Sequence, residues 1–385
     1  MQVANGQEKL YQELIEAGLV LSQERDLDVL LDKIVETALS IAQADACSLY
    51  VIQNNVLEFK IARNLTLEKK NVSYPKNSFQ LKLDSNTLAG HVAVSGKTLN
   101  IQDVHRLHDQ YDFKFDNSSD IKLGYETRSM LVVPVKNLSG TVVGVLQLIN
   151  HNRNGEILPF PREVISPLTV IANQSGISIT NTLLSNQLEE AHIETVYRLG
   201  MAAETRDKET GNHLKRMSHY SKILAKAIGM DETYQQTLLN AAPLHDVGKI
   251  GIPDHILQKN SKLTPEEWEI MKTHAELGYQ ILKDSKAPLL NMGAEIALSH
   301  HEKFDGTGYP KGLKGDRIPL EGRITAIADV FDALTSRRCY KKAWDFSDVQ
   351  DYCTSEKGKH FDPELVDRFF EQMTEIVSIY NKYKD

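Results

Sequence analysis

The sequence of 385 residues has little of what marks secreted or membrane proteins. It has three cysteines, Cys47, Cys339 and Cys353, and their spacing fits a reducing cytoplasm rather than a thiolate metal site. No apolar run approaches the ~18 residues that a membrane span needs. The N-terminus also lacks the basic patch and apolar core of a secretory signal. We therefore expect a cytoplasmic protein without a membrane partner.

Positive charge is also scarce. The 44 Lys and Arg residues are outnumbered by 52 Asp and Glu residues, for a net charge of −8. No global basic field would therefore attract a nucleic acid polymer. A phosphate-bearing ligand would need a local positive site, made from metal ions or from the run "RRCYKK" at 337–342. That run can equally be a solvated helix face.

Length and composition indicate a globular protein of more than one domain. The hydrophobic content is 41% and the charged content 25%, and the chain is too long for one compact core. The patterns described below predict an α+β domain over residues 1–160, a connecting helix over 161–204, and an all-α domain over 205–385.

The first of these domains combines helical and alternating patterns. Apolar residues recur at the helical period between about 8 and 45. Four alternating stretches then predict strands, and a polar loop over 103–127 separates the first two from the last two. The strands are "CSLYVIQ", "VLEFKIA", "SMLVVPVK" and "TVVGVLQLIN". We expect an antiparallel sheet flanked by helices.

The connecting helix has few helix breakers. Ser166 and Pro167 form a start signal, and Leu184, Leu188 and Ala191 follow coiled-coil-like spacing. The helix can pack on the surface of one domain or pair with its copy in a homodimer. We favour the homodimer because the segment links two domains.

Histidines and carboxylates recur on separate predicted helices after residue 205. Thr264, Pro265 and Glu267 mark one helix start by their capping-box spacing. Imidazole and carboxylate ligands suit zinc, iron or manganese. One ion takes about four to six ligands, so eight side chains are enough for two ions or three. The candidate ligands are Glu209, His213, His245, Asp246, His274, His300, His301 and Asp329.

Two of these segments carry a family resemblance. "HDVGKIGIP" together with "HHEKFDGTGYPKGLKG" resembles the HD-GYP phosphodiesterases, a subset of the HD metal-dependent phosphohydrolases, and the match extends over about 200–375. The resemblance implies hydrolysis of cyclic di-GMP to linear pGpG and, in some members, to GMP. It also implies two or three divalent metal ions, with iron favoured and manganese the other candidate.

The resemblance assigns a role to each candidate residue. The eight candidates match its metal ligands, with Asp246 as the bridging carboxylate and Glu209 as the extra ligand of members that hold a third ion. Lys249 matches a catalytic lysine beside the scissile phosphate. The substrate-binding residues that the resemblance implies are Arg338, Lys341 and Tyr309, the last within the tripeptide Gly308–Tyr309–Pro310. The chain departs from the family at Cys339, where proline is common.

Other features leave alternatives open. "TLAGHVAVSGKTLNIQDV" and "SMLVVPVKNLSGTVVGVLQLIN" resemble a GAF sensor domain, which can bind a small molecule or be purely structural. The helical domain can instead be a silent receptor of a cyclic dinucleotide, or a hydrolase of a different one. Asp332, one turn beyond Asp329, is a candidate acceptor for a ligand histidine or Lys249, and Glu302 is expected on a solvated face.

Overall fold

The computed structural model of the protein describes residues 2–72, 80–107, 111, 113, 115–206, 211–336 and 343–384, without the side chains of 2–11 and 13. The chain divides into two compact units, residues 1–188 and residues 189–385.

The first unit begins with two helices, α1 (Gln2–Gln23) and α2 (Leu27–Ala42). The sequence predicted continuous helical character here, so the break between them is a correction. Asp26 causes it, because its side chain accepts a hydrogen bond from the backbone N–H of Val29 at 3.1 Å and so starts a new helix.

A seven-stranded sheet forms the centre of this unit, and all its strand pairs are antiparallel. Its strands are β1 (Ala44–Gln53), β2 (Val56–Asn64), β3 (Gln80–Lys82), β4 (Leu99–Ile101), β5 (Met130–Lys136), β6 (Val142–Arg153) and β7 (Glu156–Leu158). The order is β3-β2-β1-β6-β5-β4, and β7 pairs with β6. The four predicted strands correspond to β1, β2, β5 and β6. The other three have three residues each, too few for an alternating pattern to appear.

Three short helices complete the first unit: α3 (Leu65–Lys69), α4 (Leu88–Ser95) and α5 (Ser118–Leu123). Single 3-10 turns cover Val104–Arg106 and Arg162–Val164. Helix α5 lies within the stretch 103–127 that was predicted as loop. Apolar side chains of α2 pack on one face of the sheet and those of α4 on the other, which gives the helix-flanked antiparallel sheet that the sequence predicted.

A single helix, α6 (Ile165–Arg206), runs for 42 residues from the first unit into the second. The second unit continues with α7 (Gly211–Ala227), α8 (Glu232–Ala241), α9 (Asp254–Leu257), α10 (Pro265–Lys272), α11 (His274–Leu282), α12 (Pro288–Ser299), α13 (Leu320–Thr335), α14 (Phe346–Ser355), α15 (Pro363–Phe370) and α16 (Met373–Lys382). Its 3-10 turns are Ala242–Leu244, Val247–Gly251 and Gly315–Arg317. Over the described part of 189–385 there is no strand, only one isolated bridge, which confirms the all-helical expectation.

The core of the second unit gathers around aromatic side chains. Tyr220, Phe331 and Phe369 are fully buried and pack edge to face, with ring centroids 5.0–6.3 Å apart. The predicted capping box at the start of α10 is confirmed, because Thr264 and Glu267 exchange side chain-to-backbone hydrogen bonds. Within the described helices there is no segment with the length and apolar content needed to cross a bilayer.

Candidate metal centre

Five separate segments of the second unit bring histidines and carboxylates to one place. His213 lies in α7 and Asp329 in α13, while His274 begins α11. The pair His245-Asp246 lies between two 3-10 turns, and His300-His301 follows α12.

Asp246 lies at the centre of this arrangement. Its Oδ1 is 3.1 Å from His274 Nε2 and 3.6 Å from His300 Nε2. Its Oδ2 is 3.2 Å from His245 Nε2 and 2.7 Å from Lys249 Nζ. The two oxygens of one carboxylate thus face two different sets of potential ligands, as a bridging carboxylate would.

The potential ligand atoms form three overlapping groups, each with atoms within 4.8 Å of one another. The first contains Asp246, His274, His300 and His301. The second contains His213, His245 and Asp329, with 3.5 Å between His213 Nε2 and Asp329 Oδ1. The third contains Glu204, His245 and Asp246. Seven of the eight predicted ligands therefore lie in one cluster.

Backbone carbonyls orient three of the imidazole rings. The Nδ1 atoms of His245, His274 and His300 lie 3.1, 2.7 and 3.0 Å from the carbonyl oxygens of residues 242, 271 and 296. A carbonyl can only accept, so each Nδ1 carries a proton and each Nε2 is the ring nitrogen that faces the centre. This is the usual orientation of metal-ligating histidines.

A buried carboxylate orients the fourth ring. Asp332 Oδ2 lies 2.9 Å from His213 Nδ1, which bears out the prediction that Asp332 serves a ligand histidine. Arg216 in turn donates to both oxygens of Asp332, at 2.7 and 2.9 Å. Arg216 was not predicted from the sequence, although its place one turn after His213 in a helix was a usable signal.

The unpaired polar atoms test whether a cation fits. Asp246 Oδ1, His274 Nε2, His300 Nε2 and Glu204 Oε1 are buried, and none has a hydrogen-bond partner among the residues that the structure describes. Leaving buried polar atoms unpaired is costly, and these atoms are all ligand types for divalent metals. The residues present therefore fit a divalent metal centre.

The ionisation states agree with that fit. Burial lowers the pKa of His300, and burial together with the neighbouring His300 lowers the pKa of His301 further, so both imidazoles are neutral. Burial opposes ionisation of Asp246, but Lys249 and His245 outweigh it and hold the pKa of Asp246 well below its usual range. Burial also acts against a charged His245, yet the charge of Asp246 raises the pKa of that imidazole to about 9. A bound cation would displace this proton.

Close backbone packing holds the segment that carries Asp246 and Lys249. A Cβ atom at Gly248 would lie 1.9 Å from the carbonyl oxygen of His274, so only glycine lets this turn approach α11. The turn thereby places Asp246 and His274 within reach of one ion.

The segment with the tripeptide lies beside the histidines. The ring of Tyr309 is 4.7 Å from that of His301 and 6.1 Å from that of Trp268, between centroids. The expectation that Glu302 lies on a solvated face is wrong. Glu302 is buried, and its carboxylate accepts from the backbone N–H groups of Lys311 and Leu313 at 2.7 and 2.9 Å, so it holds this segment in place.

Some predicted site residues lie outside the described part of the chain: Glu209, Arg338 and Lys341. Their roles stay predictions. Glu204, a buried carboxylate in the last turn of α6, was also not predicted as a site residue. No local pattern marked Glu204 as a ligand, because it lies in the stretch predicted as the end of the connecting helix.

Comparison with known proteins agrees with the geometry. Residues 199–365 match the family model of the HD domain, and residues 26–179 match that of the GAF domain. A curated protein of Vibrio cholerae named 3'3'-cGAMP-specific phosphodiesterase 2 is 47% identical over 204 residues, which are 53% of this chain and 39% of that protein. A cyclic di-GMP phosphodiesterase of Thermotoga maritima is 46% identical over 199 residues, 52% of this chain and 54% of the relative.

A further relative spans both units. A cyclic di-GMP phosphodiesterase of Vibrio cholerae is 33% identical over 317 residues, 74% of this chain and 63% of that protein. The chain covers less than two thirds of the length of each of these three relatives. These matches confirm the resemblances inferred from the sequence, and they show that the chain contains a GAF domain followed by an HD domain.

Proposed function

We propose that the HD domain is a metal-dependent phosphodiesterase that hydrolyses cyclic di-GMP to linear pGpG, with GMP as a further product. The observation that carries this proposal is the placement of Asp246, whose two carboxylate oxygens face two different groups of ligands. Two adjacent ions are a common solution for cutting phosphodiesters. The names of the relatives support the substrate class.

The assigned ligands are Glu209, His213, His245, Asp246, His274, His300, His301 and Asp329. Iron is the metal we favour, with manganese as the second choice, because histidine and carboxylate ligands suit both. Divalent ions in this site would supply a nucleophile from water at neutral pH and neutralise charge on the phosphate oxygens. Residues of the chain itself would bind the substrate, stabilise its charge and deliver a proton.

Hydrolysis adds one water across a phosphodiester bond. The water oxygen joins phosphorus, the bond from phosphorus to the ribose 3′ oxygen breaks, and a proton ends on that oxygen. Lys249 lies 2.7 Å from Asp246 and is mostly buried, so its ammonium group points into the centre. It can stabilise the phosphate charge or deliver this proton.

Arg338 and Lys341 are assigned to binding of the phosphate that does not react.

An aromatic wall borders the histidines and suits a nucleobase. Tyr309 contacts His301, and Trp268 lies beside Tyr309 with 45% of its surface exposed. Stacking of a base on an aromatic ring contributes about 1–3 kcal/mol. We assign Tyr309 to substrate binding for this reason, and Trp268 to the same wall.

A direct assay tests the proposal. The full chain, loaded with iron or manganese without oxygen, is incubated with cyclic di-GMP, and the products are separated by chromatography. Appearance of pGpG or GMP is the expected result. Tight binding of unchanged cyclic di-GMP would instead indicate a receptor that does not cut.

A second substrate deserves a parallel assay. The 47% identical relative is named as specific for 3'3'-cGAMP, so 3'3'-cGAMP is the second candidate substrate. The two cyclic dinucleotides differ in one base, while the metal ligands act on the shared phosphodiester. The ratio of kcat/KM for the two substrates decides between them.

We also infer a regulatory arrangement: a GAF sensor over 1–160, a connecting helix over 161–204 and the catalytic domain over 205–385. Support comes from α6, which begins within the residues matched by the GAF model and ends beside the metal centre.

The cytoplasmic location expected from the sequence stays a prediction.

A homodimer through the GAF domain and α6 is part of this proposal. Leu184 and Leu188, one turn apart on α6, are 57% and 58% exposed, and Ile15 and Leu19 on α1 are exposed as well. Association with a second copy would remove this apolar surface from water. Light scattering should give a dimer for the native chain, a monomer for Leu184→Glu with Leu188→Glu, and a dimer for the control Gln187→Glu. A native monomer would overturn this part.

A further inference from the structure

Glu204 lies in the last turn of α6 and is buried beside the metal centre. Only 1% of its surface is exposed. Its Oε1 lies 3.9 Å from His245 Nε2 and 3.8 Å from Lys249 Nζ. This oxygen has no hydrogen-bond partner among the described residues. The carboxylate is therefore aimed at the cluster without being satisfied by it.

Burying a carboxylate in this state is unfavourable. An ionised carboxylate removed from water needs a partner that restores the lost solvation. The ammonium group of Lys249 is nearer to Asp246, at 2.7 Å, than to Glu204, at 3.8 Å. Separations of this size between candidate ligand atoms leave room for a cation between them.

His245 decides which cation Glu204 would meet. Its Nδ1 faces the carbonyl of Ala242 at 3.1 Å, so Nε2 is the nitrogen left for a metal. The group with His213 and Asp329 and the group with Glu204 and Asp246 both include His245. One lone pair binds one ion, so the two groups converge on the same cation position.

We propose that Glu204 is a direct ligand of the cation that His245 and Asp246 hold. The proposal rests on the metal centre of the proposed function and adds to it a ligand from the connecting helix. Because α6 begins at Ile165, the position of this long helix would set how tightly one ion is held.

Close packing and a hydrogen bond hold the last turns of α6 in place, which would fix the position of Glu204. Gly200 lies one turn before Glu204, and a Cβ atom there would be 2.3 Å from the carbonyl oxygen of Pro243. This glycine allows α6 to approach the backbone just before His245. Tyr197 in the preceding turn donates a hydrogen bond to the carbonyl of Gly211 at 2.6 Å.

Arg206 fastens the end of α6 to the turn behind Asp246. Its guanidinium donates to the carbonyls of Lys249, Ile250 and Ile252 at 2.9, 2.6 and 3.0 Å, and to Asp254 at 2.6 Å. Arg206 is thus a positioning residue that ties Glu204 to the segment that carries the central carboxylate.

The test measures metal binding rather than activity. The full chain is freed of metal with a chelator and titrated with Mn²⁺ alone, with free Mn²⁺ followed by electron paramagnetic resonance. Glu204→Gln should weaken the binding of one ion by about tenfold to a hundredfold. Glu190→Gln, an exposed position on the same helix, should bind as the native chain does. Glu204→Asp, which keeps the charge, should fall between them.

A crystal of the native chain with Mn²⁺ gives a readout without any substitution. An anomalous peak within bonding distance of Glu204, His245 and Asp246 supports the proposal. Mn²⁺ bound at His245 with Glu204 turned to Lys249 overturns it, as does native-like Mn²⁺ affinity in Glu204→Gln. A native chain that binds no Mn²⁺ or Fe²⁺ would remove the metal centre itself and the proposed function with it, which separates the two failures.

Discussion

The two units bury polar groups in opposite ways. In the first unit, the carboxylate of Asp45 accepts hydrogen bonds from Thr66 and Tyr125, both at 2.8 Å, and Asn150 donates to the same tyrosine at 3.0 Å. In the second unit, several carboxylate and imidazole atoms around Asp246 are buried without a hydrogen-bond partner among the residues that the structure describes.

The difference indicates which of the two units suits a cation. The unpaired buried atoms of the first unit are neutral amide and hydroxyl groups, and no His, Cys, Asp or Glu group suited to a metal occurs in its described residues. The network around Asp45 is complete within the protein and stabilises the fold. Among the described residues, the cluster around Asp246 leaves ligand-type atoms without hydrogen-bond partners, and a divalent cation would fit them.

The largest expected effect is on activity, and it comes from replacing Asp246, the residue whose carboxylate faces two groups of potential ligands. Asp246→Asn removes the charge that faces both groups, so hydrolysis of cyclic di-GMP should fall at least about 10³-fold, because several kcal/mol of transition-state stabilisation is lost. Metal analysis should show loss of at least one ion. Asp348→Asn, an exposed position on α14, is the control. Full activity in Asp246→Asn would contradict the view that the buried ligand atoms of the second unit serve a metal centre.

The next effect concerns stability in the second unit. Arg216→Met removes the guanidinium that donates to both oxygens of the buried Asp332, so the free energy of unfolding should fall by about 3–5 kcal/mol. Urea unfolding followed by tryptophan fluorescence reports this unit selectively, because both tryptophans, Trp268 and Trp344, lie in it. Lys226→Met, exposed on the same helix, should change little. An equal loss in both variants would argue against the buried pair.

A smaller effect is expected in the first unit. Asp45→Ala leaves the hydroxyl groups of Thr66 and Tyr125 without their acceptor, so this unit should lose about 1–3 kcal/mol. Hydrogen exchange of the β1 amides measures the loss, and Glu156→Ala is an exposed control. The metal content should stay as in the native chain. Loss of metal in Asp45→Ala would contradict the view that the network around Asp45 is independent of the cluster around Asp246.

The smallest effect tests a local feature. Thr264→Ala removes the N-cap of α10, which should destabilise the second unit by about 1 kcal/mol. Tryptophan fluorescence reports this helix directly, since Trp268 is part of it. Ser261→Ala, an exposed residue just before the helix, should have no measurable effect. An identical result for both variants would show that the cap contributes nothing.

Local patterns were enough for much of the fold. The strands β1, β2, β5 and β6 are long enough for alternation to appear, whereas β3, β4 and β7 are not. The capping box at Thr264 depends on neighbouring residues only, and it was predicted correctly. The break at Asp26 was missed because one carboxylate inside a helical period gives too weak a signal.

Long-range contacts explain what was missed in the site. Glu302 looked like a surface residue because nothing near it in sequence predicts that it accepts from the amides of Lys311 and Leu313. Glu204 looked like part of a connecting helix, since its neighbour His245 is 41 positions away.

The kinds of ligand atom that the chain offers could be read from the sequence, because the side chains of His245, Asp246 and His274 and their local spacing do not depend on the fold. The packing of the helices, by contrast, places some of these side chains close enough to share an ion and buries particular carboxylates beside them. Distances of 3–4 Å between side chains of α6, α7, α11, α13 and the segments at His245-Asp246 and His300 arise only when the helices pack. A cation responds to those distances rather than to the order of residues along the chain.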